Sequence, residues 1–349
     1  METTTSDYWV GVLIGEGAYS RVVHCKYKAS NQDVALKILD KVTLQKHPSV
    51  MAGLWTERSL LQRFKSEYVV NLWASFHDSQ SVYLVLDCLF GGDLSQVIYS
   101  AHHHDGKASI GSTSIHADWI QSIPHYALQI LVGLEYVHSQ HIVHCDLKPA
   151  NILCSRNGRI KLADFACAVD LATITKAPPP DNLNSSSSIL RGTADYASPE
   201  LQRCIPTNEI TTAVDMWSVG CIFYECFNGT SPFHAPNHLL ATHRVMEYVN
   251  NNISLEELFS GSVDDAIKNQ PLNEKSASEW KSLIGGLLAP SPKLRTTLKE
   301  AQRQSCFDSV RVDLSKDGPK FLPDDPEWVG QAKDTKMKDG KAGWAVFEL

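Results

Sequence analysis

The hydrophobic pattern of the chain changes near residue 90, and this change constrains the fold more than any other feature. Before it, short β-branched and aromatic runs such as "DVALKIL" and "SVYLVLDC" alternate with turn residues around one helical stretch, "SVMAGLWTERSLLQRF". From residue 118 onward the signals are mostly helical, and Gly229 follows one long apolar helix as a stop signal. The pattern predicts an α+β fold: a small antiparallel sheet lobe with one helix, and a larger, mainly helical lobe.

The bulk composition narrows the class of protein. Of 349 residues, 43% are hydrophobic and 20% are charged, as in ordinary globular proteins, and the net charge of −7 gives no basic surface for nucleic acid. The N-terminal stretch lacks a secretory signal pattern, and the longest apolar run, around 216–227, is too short to span a bilayer. Nine cysteines without paired spacing favour thiols. We therefore expect a cytoplasmic protein with no transmembrane segment and no nucleic-acid partner.

Three polar stretches are predicted to be loops. They are residues 100–114, the Pro- and Ser-rich 177–188, and the charged 333–343. The first contains a histidine triplet, 102–104, whose imidazoles are potential metal ligands. A solvated loop is the favoured interpretation of this triplet over a metal site.

The first chemical motif, "IGEGAYSRVV", follows the first predicted strand. Gly15 and Gly17 would let the backbone approach phosphates closely, and Val22 would cover a base. The motif is weak alone, because Ser20 stands where a third glycine is usual. Lys37 in "VALKIL" strengthens it, since Glu57 lies 20 residues further on in the predicted helix and can hold the ammonium towards phosphates.

A second set of motifs supplies groups that phosphoryl transfer needs. In "HCDLKPAN", Asp146 can accept the proton of a substrate hydroxyl, Lys148 can neutralise the transferred phosphoryl group, and Asn151 can hold a metal ion. In "DFA", Asp164 supplies a carboxylate for the metal ion that bridges the β- and γ-phosphates. Thr193 in "GTADYASPE" completes the predicted catalytic set.

The order and spacing of these motifs resemble a eukaryotic protein kinase across residues 8 to 310. Downstream residues agree, since Asp215 lies in "AVDMWSVG" and Arg295 in "SPKLRTT" is a candidate buried partner for Glu200. The stretches "GTADYASPELQ", "DMWSVGCIFYECFNGTSPFHAPN", "CFDSVRV" and "GPKFLPDDPEW" are most similar to the AGC group of kinases. The resemblance implies ATP and Mg²⁺ as cofactors, and Lys148 implies transfer to Ser or Thr hydroxyls.

The resemblance also implies a domain organisation and a class of partner. The implied units are the N-lobe and hinge at 1–90, the C-lobe at 91–310 with an insertion at 100–114 and an activation segment at 164–200, and a tail at 311–349. Implied substrates are proteins, particularly the activation loops of other AGC kinases. The tail is too short for the lipid-binding pleckstrin-homology domain that is usual in the animal kinases this chain most resembles. We therefore do not expect direct phosphoinositide binding.

The strand "SVYLVLDCLFGGDL" is expected, by the same resemblance, to lead into the hinge that binds adenine. Leu86 would be the gatekeeper, the backbone from Asp87 to Leu89 would face the adenine, and Asp93 would contact the ribose. Three apolar side chains would sandwich the base, and a pure core role is compatible with each: Val22, Ala35 and Leu153.

Cys145 departs from the kinase pattern at a regulatory position. In the family, an Arg beside the catalytic Asp grips a phosphate on the activation segment, together with basic residues of the small-lobe helix and of the strand after the metal-binding Asp. Here the matching positions are uncharged, namely Cys145, Thr56 and Val169, and Ile189 occupies the usual acceptor position. Because a phosphate-ordered loop needs Arg or Lys, we hypothesise that this kinase does not use that switch.

Two further residues qualify this hypothesis. Phosphorylation at Ser188, next to Ile189, remains an alternative, since a loop can slip by one residue. Ala166 stands where a Gly is expected after Phe165, and its side chain is expected to restrict the flip of that phenyl ring and bias the loop inward.

The chain ends with "GWAVFEL", which fits the aromatic tail motif of AGC kinases through Trp344, Phe347 and Glu348. In the family such tails dock in a small-lobe groove. The matching residues here are Lys41, Leu44, Met51, Leu54, Arg58, Ser75, Val82 and Leu84. Arg58 or Lys41 would pair with Glu348 while the two rings fill the groove. The simpler alternative is a solvated terminus.

Two functional alternatives stay open at the level of the sequence. One is a pseudokinase scaffold that binds ATP or kinase tails without catalysis. Such proteins usually lack a charged catalytic residue, whereas this chain has all of them. The other is an AGC kinase with unrelated substrates.

Overall fold

The computed structural model describes residues 4–103, 115–174, 192–251, 253–259 and 274–310, and its two lobes confirm the predicted α+β class. The small lobe is built on a five-stranded antiparallel sheet in the order β1-β2-β3-β5-β4. Its strands are β1 (Tyr8–Glu16), β2 (Arg21–Tyr27), β3 (Gln32–Asp40), β4 (Leu72–His77) and β5 (Ser81–Asp87).

The small lobe carries two helices instead of the single helix predicted. They are α1 (Lys41–Lys46) and α2 (Pro48–Arg63). The Asp40 carboxylate accepts a hydrogen bond from the Thr43 backbone N–H, which caps α1. Pro48 then begins α2, because proline fits the first helical turn. The one-helix prediction is therefore corrected, since six residues are too few to show a helical period.

Strand register decides which side chains reach the cleft. Lys37 pairs with Val22 on one side, and Ala35 pairs with Leu86 on the other. Since alternate residues of a strand face the same side, these four side chains share one face of the sheet. The opposite face is packed by a separate cluster of β-branched and aromatic residues that includes Tyr83. The sheet thus has a packed outer face and a cleft-facing inner one.

The large lobe is mainly helical. Its helices are α3 (Leu94–His103), α4 (Ile115–Ser139), α5 (Leu171–Ile174), α6 (Pro199–Gln202), α7 (Ala213–Asn228), α8 (His238–Val249), α9 (Leu255–Phe259), α10 (Glu274–Leu287) and α11 (Leu298–Gln302). The short strands β6 (Ile142–Val143), β7 (Ile152–Cys154), β8 (Ile160–Leu162) and β9 (Val169–Asp170) form two antiparallel pairs, β6 with β9 and β7 with β8.

Two of the sequence signals in the large lobe can be compared with the structure. Helix α7 ends at Gly229 as predicted, and this glycine has the left-handed φ of 75° that favours glycine at a helix end. The prediction of a loop at 100–114 is wrong for residues 100–103, which complete α3. The rest of that stretch, and the predicted loops at 177–188 and 333–343, lie outside the described residues.

None of the helices in the described part of the chain combines the length and apolarity that a bilayer crossing requires. The nine cysteines are all thiols. Among the described residues, His, Cys, Asp and Glu side chains form no group arranged to hold a metal ion by themselves.

Candidate active site

A cavity of about 310 Å³ lies between the lobes. All ten residues that the sequence assigned to nucleotide binding line it: Gly15, Gly17, Val22, Ala35, Lys37, Leu86, Asp87, Leu89, Asp93 and Leu153. Its volume lies within the range of small-molecule sites. Sequence reasoning missed four apolar lining residues, Ile14, Val70, Ala150 and Ala163. Three of them directly precede predicted site residues, and that adjacency was the available signal.

Lys37 forms the central ion pair of the cavity. Its Nζ lies 2.7 Å from Glu57 Oε2 and 2.9 Å from Oε1, so the predicted pairing of these two residues is confirmed. Burial disfavours the charged ammonium, but the carboxylates of Glu57 and Asp164 outweigh this effect and raise the pKa of Lys37. The ammonium is therefore fixed and charged at the inner wall of the cavity.

Asp164 lies beside this pair with its carboxylate directed to the cavity. Asp164 Oδ1 is 3.4 Å from Lys37 Nζ, and its side chain is 41% exposed. The Lys37 ammonium lowers the pKa of Asp164, which keeps the carboxylate ionised. Its φ of 60° lies in the left-handed region, a strained conformation that surrounding packing must hold.

Packing around Phe165 holds that conformation. The Phe165 side chain is fully buried, and its ring centroid lies 5.0 Å from that of Phe64 and 4.7 Å from that of His144. His144 Nε2 donates a hydrogen bond to Ala163 O at 3.0 Å. These contacts fix the backbone on both sides of Asp164 and bury the phenyl ring inward.

Asp146, Lys148 and Thr193 form a second polar cluster at the floor of the cleft. Thr193 Oγ1 donates to Asp146 Oδ1 at 2.9 Å, and Lys148 Nζ donates to Thr193 Oγ1 at 2.7 Å. Asn151 Nδ2 donates to Asp146 O at 2.8 Å. Gly192 makes this possible, because its φ is 83° and a Cβ there would lie 2.5 Å from the carbonyl oxygen of residue 145. The four predicted residues are thus brought together.

The Asp215 carboxylate fixes the backbone of the loop that contains His144 and Cys145. The sequence motif around Asp215 did not by itself reveal this role. Asp215 is fully buried, and its carboxylate accepts hydrogen bonds from the backbone N–H groups of His144 and Cys145, each at 2.9 Å. His138 Nε2 donates to it at 2.8 Å. Burial opposes ionisation, but these hydrogen bonds favour the carboxylate and lower the pKa of Asp215.

Cys145 points away from this polar network into an apolar cluster. Its exposure is 2%, and Val169 at 4% belongs to the same buried cluster. The other buried members are Val143, Ala197, Leu201, Ile210 and Val214. Thr56 does not belong to this cluster, and its hydroxyl donates to Ala52 O within α2. Ser188, Ile189 and Leu190 lie outside the described residues.

Asp93 and the hinge are fixed by side-chain hydrogen bonds. The Asp93 carboxylate accepts from Ser95 Oγ and from the Gln96 backbone N–H, and burial raises the pKa of Asp93 against these bonds. The Asp87 carboxylate accepts from Lys161 Nζ at 2.6 Å and from Trp73 Nε1 at 2.8 Å. Because Lys161 belongs to the large lobe, this ion pair crosses the hinge.

The predicted groove residues lie on α1, α2, β4 and β5. Arg58 Nε donates to Ser75 Oγ at 2.7 Å, and Lys41 Nζ donates to Asp78 O. Leu44, Leu54 and Leu84 are buried, whereas Met51 and Val82 are half-buried. The tail residues Trp344, Phe347 and Glu348 lie outside the described residues, so docking of the tail stays a prediction.

The predicted partnership of Glu200 and Arg295 is confirmed. Arg295 Nη1 lies 2.6 Å from Glu200 Oε1, and Nη2 lies 3.1 Å from Oε2, which makes the pair bidentate. Arg295 also stacks over the Trp217 ring at 5.3 Å. This buried pair connects the end of the activation segment to the helical lobe.

The Lys37–Glu57 ion pair lies close to the carboxylate of Asp164, and the Asp146 cluster lies nearby. This arrangement is the one that defines protein kinases. The protein kinase domain model matches residues 8–307, and the chain therefore belongs to the protein kinase family.

Within that family the chain resembles 3-phosphoinositide-dependent protein kinase 1 and other AGC kinases. It is 30% identical to the 3-phosphoinositide-dependent protein kinase 1 of Arabidopsis thaliana, over 76% of this chain and 50% of that protein. It is 26% identical to the Caenorhabditis elegans protein of that name, over 91% and 50%. It is 28% identical to cAMP-dependent protein kinase type 3 of Saccharomyces cerevisiae, over 75% and 58%. The chain thus spans about half the length of these curated relatives.

Proposed function

We propose that this protein is a serine/threonine kinase that transfers the γ-phosphoryl group of ATP to protein hydroxyls. The observation that carries the proposal is the hydrogen-bonded triangle of Asp146, Lys148 and Thr193, which Asn151 joins to the cavity that the Lys37–Glu57 pair lines. Phosphoryl transfer needs groups that position the nucleotide, activate the substrate hydroxyl and neutralise charge on the phosphoryl group, and these residues would supply them.

The upper part of the cleft suits the nucleotide. The inner sheet face offers Val22, Ala35 and Leu86 to a flat base, and the small Ala35 leaves room for it. Lys37, held by Glu57, would bind the α- and β-phosphates. Gly15 near the end of β1 and Gly17 in the turn after it both line the cavity, so the backbone there would be able to approach these phosphates.

The oxygen donors of Asp164 and Asn151 fit Mg²⁺, which prefers oxygen ligands, and both residues line the cavity beside the Lys37 ammonium. When bound, the ion would supply neutralisation of charge on the β- and γ-phosphates. Asn151 also fixes Asp146, because its amide donates to the Asp146 carbonyl. One side chain would therefore couple the metal site to the catalytic aspartate.

Asp146 would orient the substrate hydroxyl and accept its proton. The Thr193 hydroxyl donates to one carboxylate oxygen, and Lys148 Nζ lies 3.2 Å from the other, so the carboxylate is held in place from both sides. Lys148 would then neutralise the charge on the phosphoryl group during transfer. Because Thr193 belongs to the activation segment, correct placement of that segment would be a condition for activity.

We propose that the activation segment is placed without a phosphate. The two matched positions Cys145 and Val169 are themselves uncharged and lie in one buried apolar cluster, whereas a phosphate-ordered segment needs Arg or Lys. Phosphatase treatment of the purified protein, and Ser188→Ala, should leave phosphorylation activity unchanged. Loss of activity in either experiment, with phosphate detected at Ser188 in the wild type, would show that the segment does depend on it.

The proposed substrates are activation loops of other AGC kinases, as the resemblance of the sequence motifs to the AGC group implies. Purified AGC kinases, with and without their own tails, are the assay substrates, in the presence of Mg²⁺ and ATP. Asp146→Asn should lower activity about 10²- to 10⁴-fold, since it removes the proton acceptor. A wild type no more active than this variant on any substrate would favour the scaffold, and activity on unrelated peptides alone would reassign the substrates.

The tail motif is proposed to dock in the small-lobe groove and to support α2. Arg58 and Lys41 are the cations available to Glu348, although each already donates a hydrogen bond within the lobe. Removal of residues 344–349 should lower activity if docking supports Glu57. Unchanged activity would identify the tail as a solvated terminus.

A further inference from the structure

Gly53 of helix α2 lies directly against the segment after Asp164. A Cβ atom at Gly53 would lie 3.1 Å from Ala166 O and 3.3 Å from Ala166 Cβ. Both distances are shorter than ordinary van der Waals contact, so an alanine at position 53 would have to displace the segment by a few tenths of an ångström. The helix and the segment are as close as a glycine allows.

This closeness comes at a cost to the helix. Gly53 lies inside the 16-residue helix α2, where glycine is about 1 kcal/mol less favourable than alanine. Ala166 is larger than the glycine expected from the kinase pattern, so its methyl group fills the space that Gly53 leaves. The two positions are therefore complementary in size, with the small residue on the helix and the larger one on the segment.

The contact lies between the two carboxylates that hold Lys37. Glu57 is four residues after Gly53 and therefore on the same face of α2, while Asp164 is two residues before Ala166. Lys37 Nζ lies 2.7 Å from Glu57 and 3.4 Å from Asp164. A shift of the helix against the segment must therefore change at least one of these two distances.

We propose that Gly53 and Ala166 are a pair of positioning residues whose close contact sets the distance between Glu57 and Asp164 around Lys37. The contact performs part of the task that a loop phosphate performs in other kinases, since it ties the small-lobe helix to the activation segment. This inference rests on the proposed kinase activity for its functional consequence, but the contact can be tested without catalysis.

The Gly53→Ala substitution should lower activity without lowering stability, so an effect on positioning can be told apart from an effect on folding. The substitution improves helix propensity, so the melting temperature should stay close to that of the wild type or rise. The displaced segment should lower kcat/KM about tenfold and raise the Mg²⁺ concentration needed for half-maximal activity, since Asp164 moves. Ser59→Ala is the matched control, because Ser59 is an exposed position of the same helix and should change neither activity nor Mg²⁺ requirement.

The size swap tests the pairing directly. Ala166→Gly in the Gly53→Ala background removes the contact between the two Cβ atoms and gives the segment freedom to relax. It should recover most of the lost activity and the wild-type Mg²⁺ requirement. If the effects of the two substitutions on kcat/KM simply multiply, the two residues act independently and the proposal is wrong.

Amide hydrogen exchange of the peptide covering Asp164 to Ala168 provides the readout that needs no turnover. Exchange should be faster in Gly53→Ala than in the wild type and should return towards wild type in the swap variant. Altered exchange in a protein that phosphorylates nothing would uphold the contact and reject the kinase proposal. Unaltered exchange with unaltered activity in Gly53→Ala would reject the contact and leave the kinase proposal standing.

Discussion

The two neighbours Cys145 and Asp146 belong to opposite environments. Asp146 lies in a network of charged and polar groups, whereas Cys145 is packed among aliphatic side chains. The φ of 63° at Cys145 is unusual for a residue other than glycine, and the Asp215 carboxylate holds it through the backbone N–H. Adjacent side chains of one loop can therefore face different surroundings, one charged and one apolar.

The largest effect on stability is expected when the arginine that is usual in kinases replaces Cys145. Cys145→Arg would bury a guanidinium among apolar side chains, which should lower the free energy of unfolding by about 3–5 kcal/mol. Cys145→Ala, the control, removes only a small side chain and should cost about 1 kcal/mol. Urea unfolding of the three proteins measures this. An arginine variant as stable as the wild type would mean that the pocket still accommodates a cation.

The buried carboxylate of Glu225 holds the activation segment in place at Tyr196. The stability of the protein should therefore depend on pH. Tyr196 donates to Glu225 Oε2 at 2.6 Å, and burial raises the pKa of Glu225 to about 7. The folded state therefore binds this proton more tightly than the unfolded state, whose carboxyl has its ordinary pKa of 4.5. The contribution of Glu225 to stability is greatest below the ordinary value and declines as the pH rises towards 7.

Glu225→Gln should remove this pH dependence. Relative to the variant, the wild type should lose about 1–3 kcal/mol of unfolding free energy between pH 5 and pH 8. Thermal unfolding at a series of pH values measures the difference, and Glu209→Gln, an exposed carboxylate in the same region, is the control. Parallel pH profiles of the wild type and Glu225→Gln would show that the carboxyl titrates normally.

The smallest effect is expected at the ion pair between Arg63 of α2 and Asp170 of β9. Arg63 Nη1 lies 2.7 Å from Asp170 Oδ2, and the arginine is 47% exposed, so the pair should contribute only about 0.2–1 kcal/mol. A double-mutant cycle with Arg63→Ala and Asp170→Asn measures the coupling. The Arg159–Glu67 pair, at 2.8 Å, is the matched control because it does not involve the activation segment. A coupling well above that of the control would make the ion pair a main link between α2 and the segment.

The local motifs were predictable because each combines a residue type with a short, fixed spacing. Lys37 and Glu57 were paired from their places in a strand pattern and a helix pattern, and the structure brings them within hydrogen-bonding distance. Helix α1 was missed because six residues carry no visible period. The loop prediction was wrong at residues 100–103 because serine and histidine, although polar, continue α3.

Residue chemistry and short-range period were enough to predict the two-lobe class, the residues that line the cavity and the charged groups of the "HCDLKPAN" loop. That Cys145 shares a cluster with Ile210 and Val214, and that Gly53 lies against Ala166, is visible only in the folded chain. Those contacts join residues far apart in the chain. They depend on packing between elements, which has no local signature in the sequence.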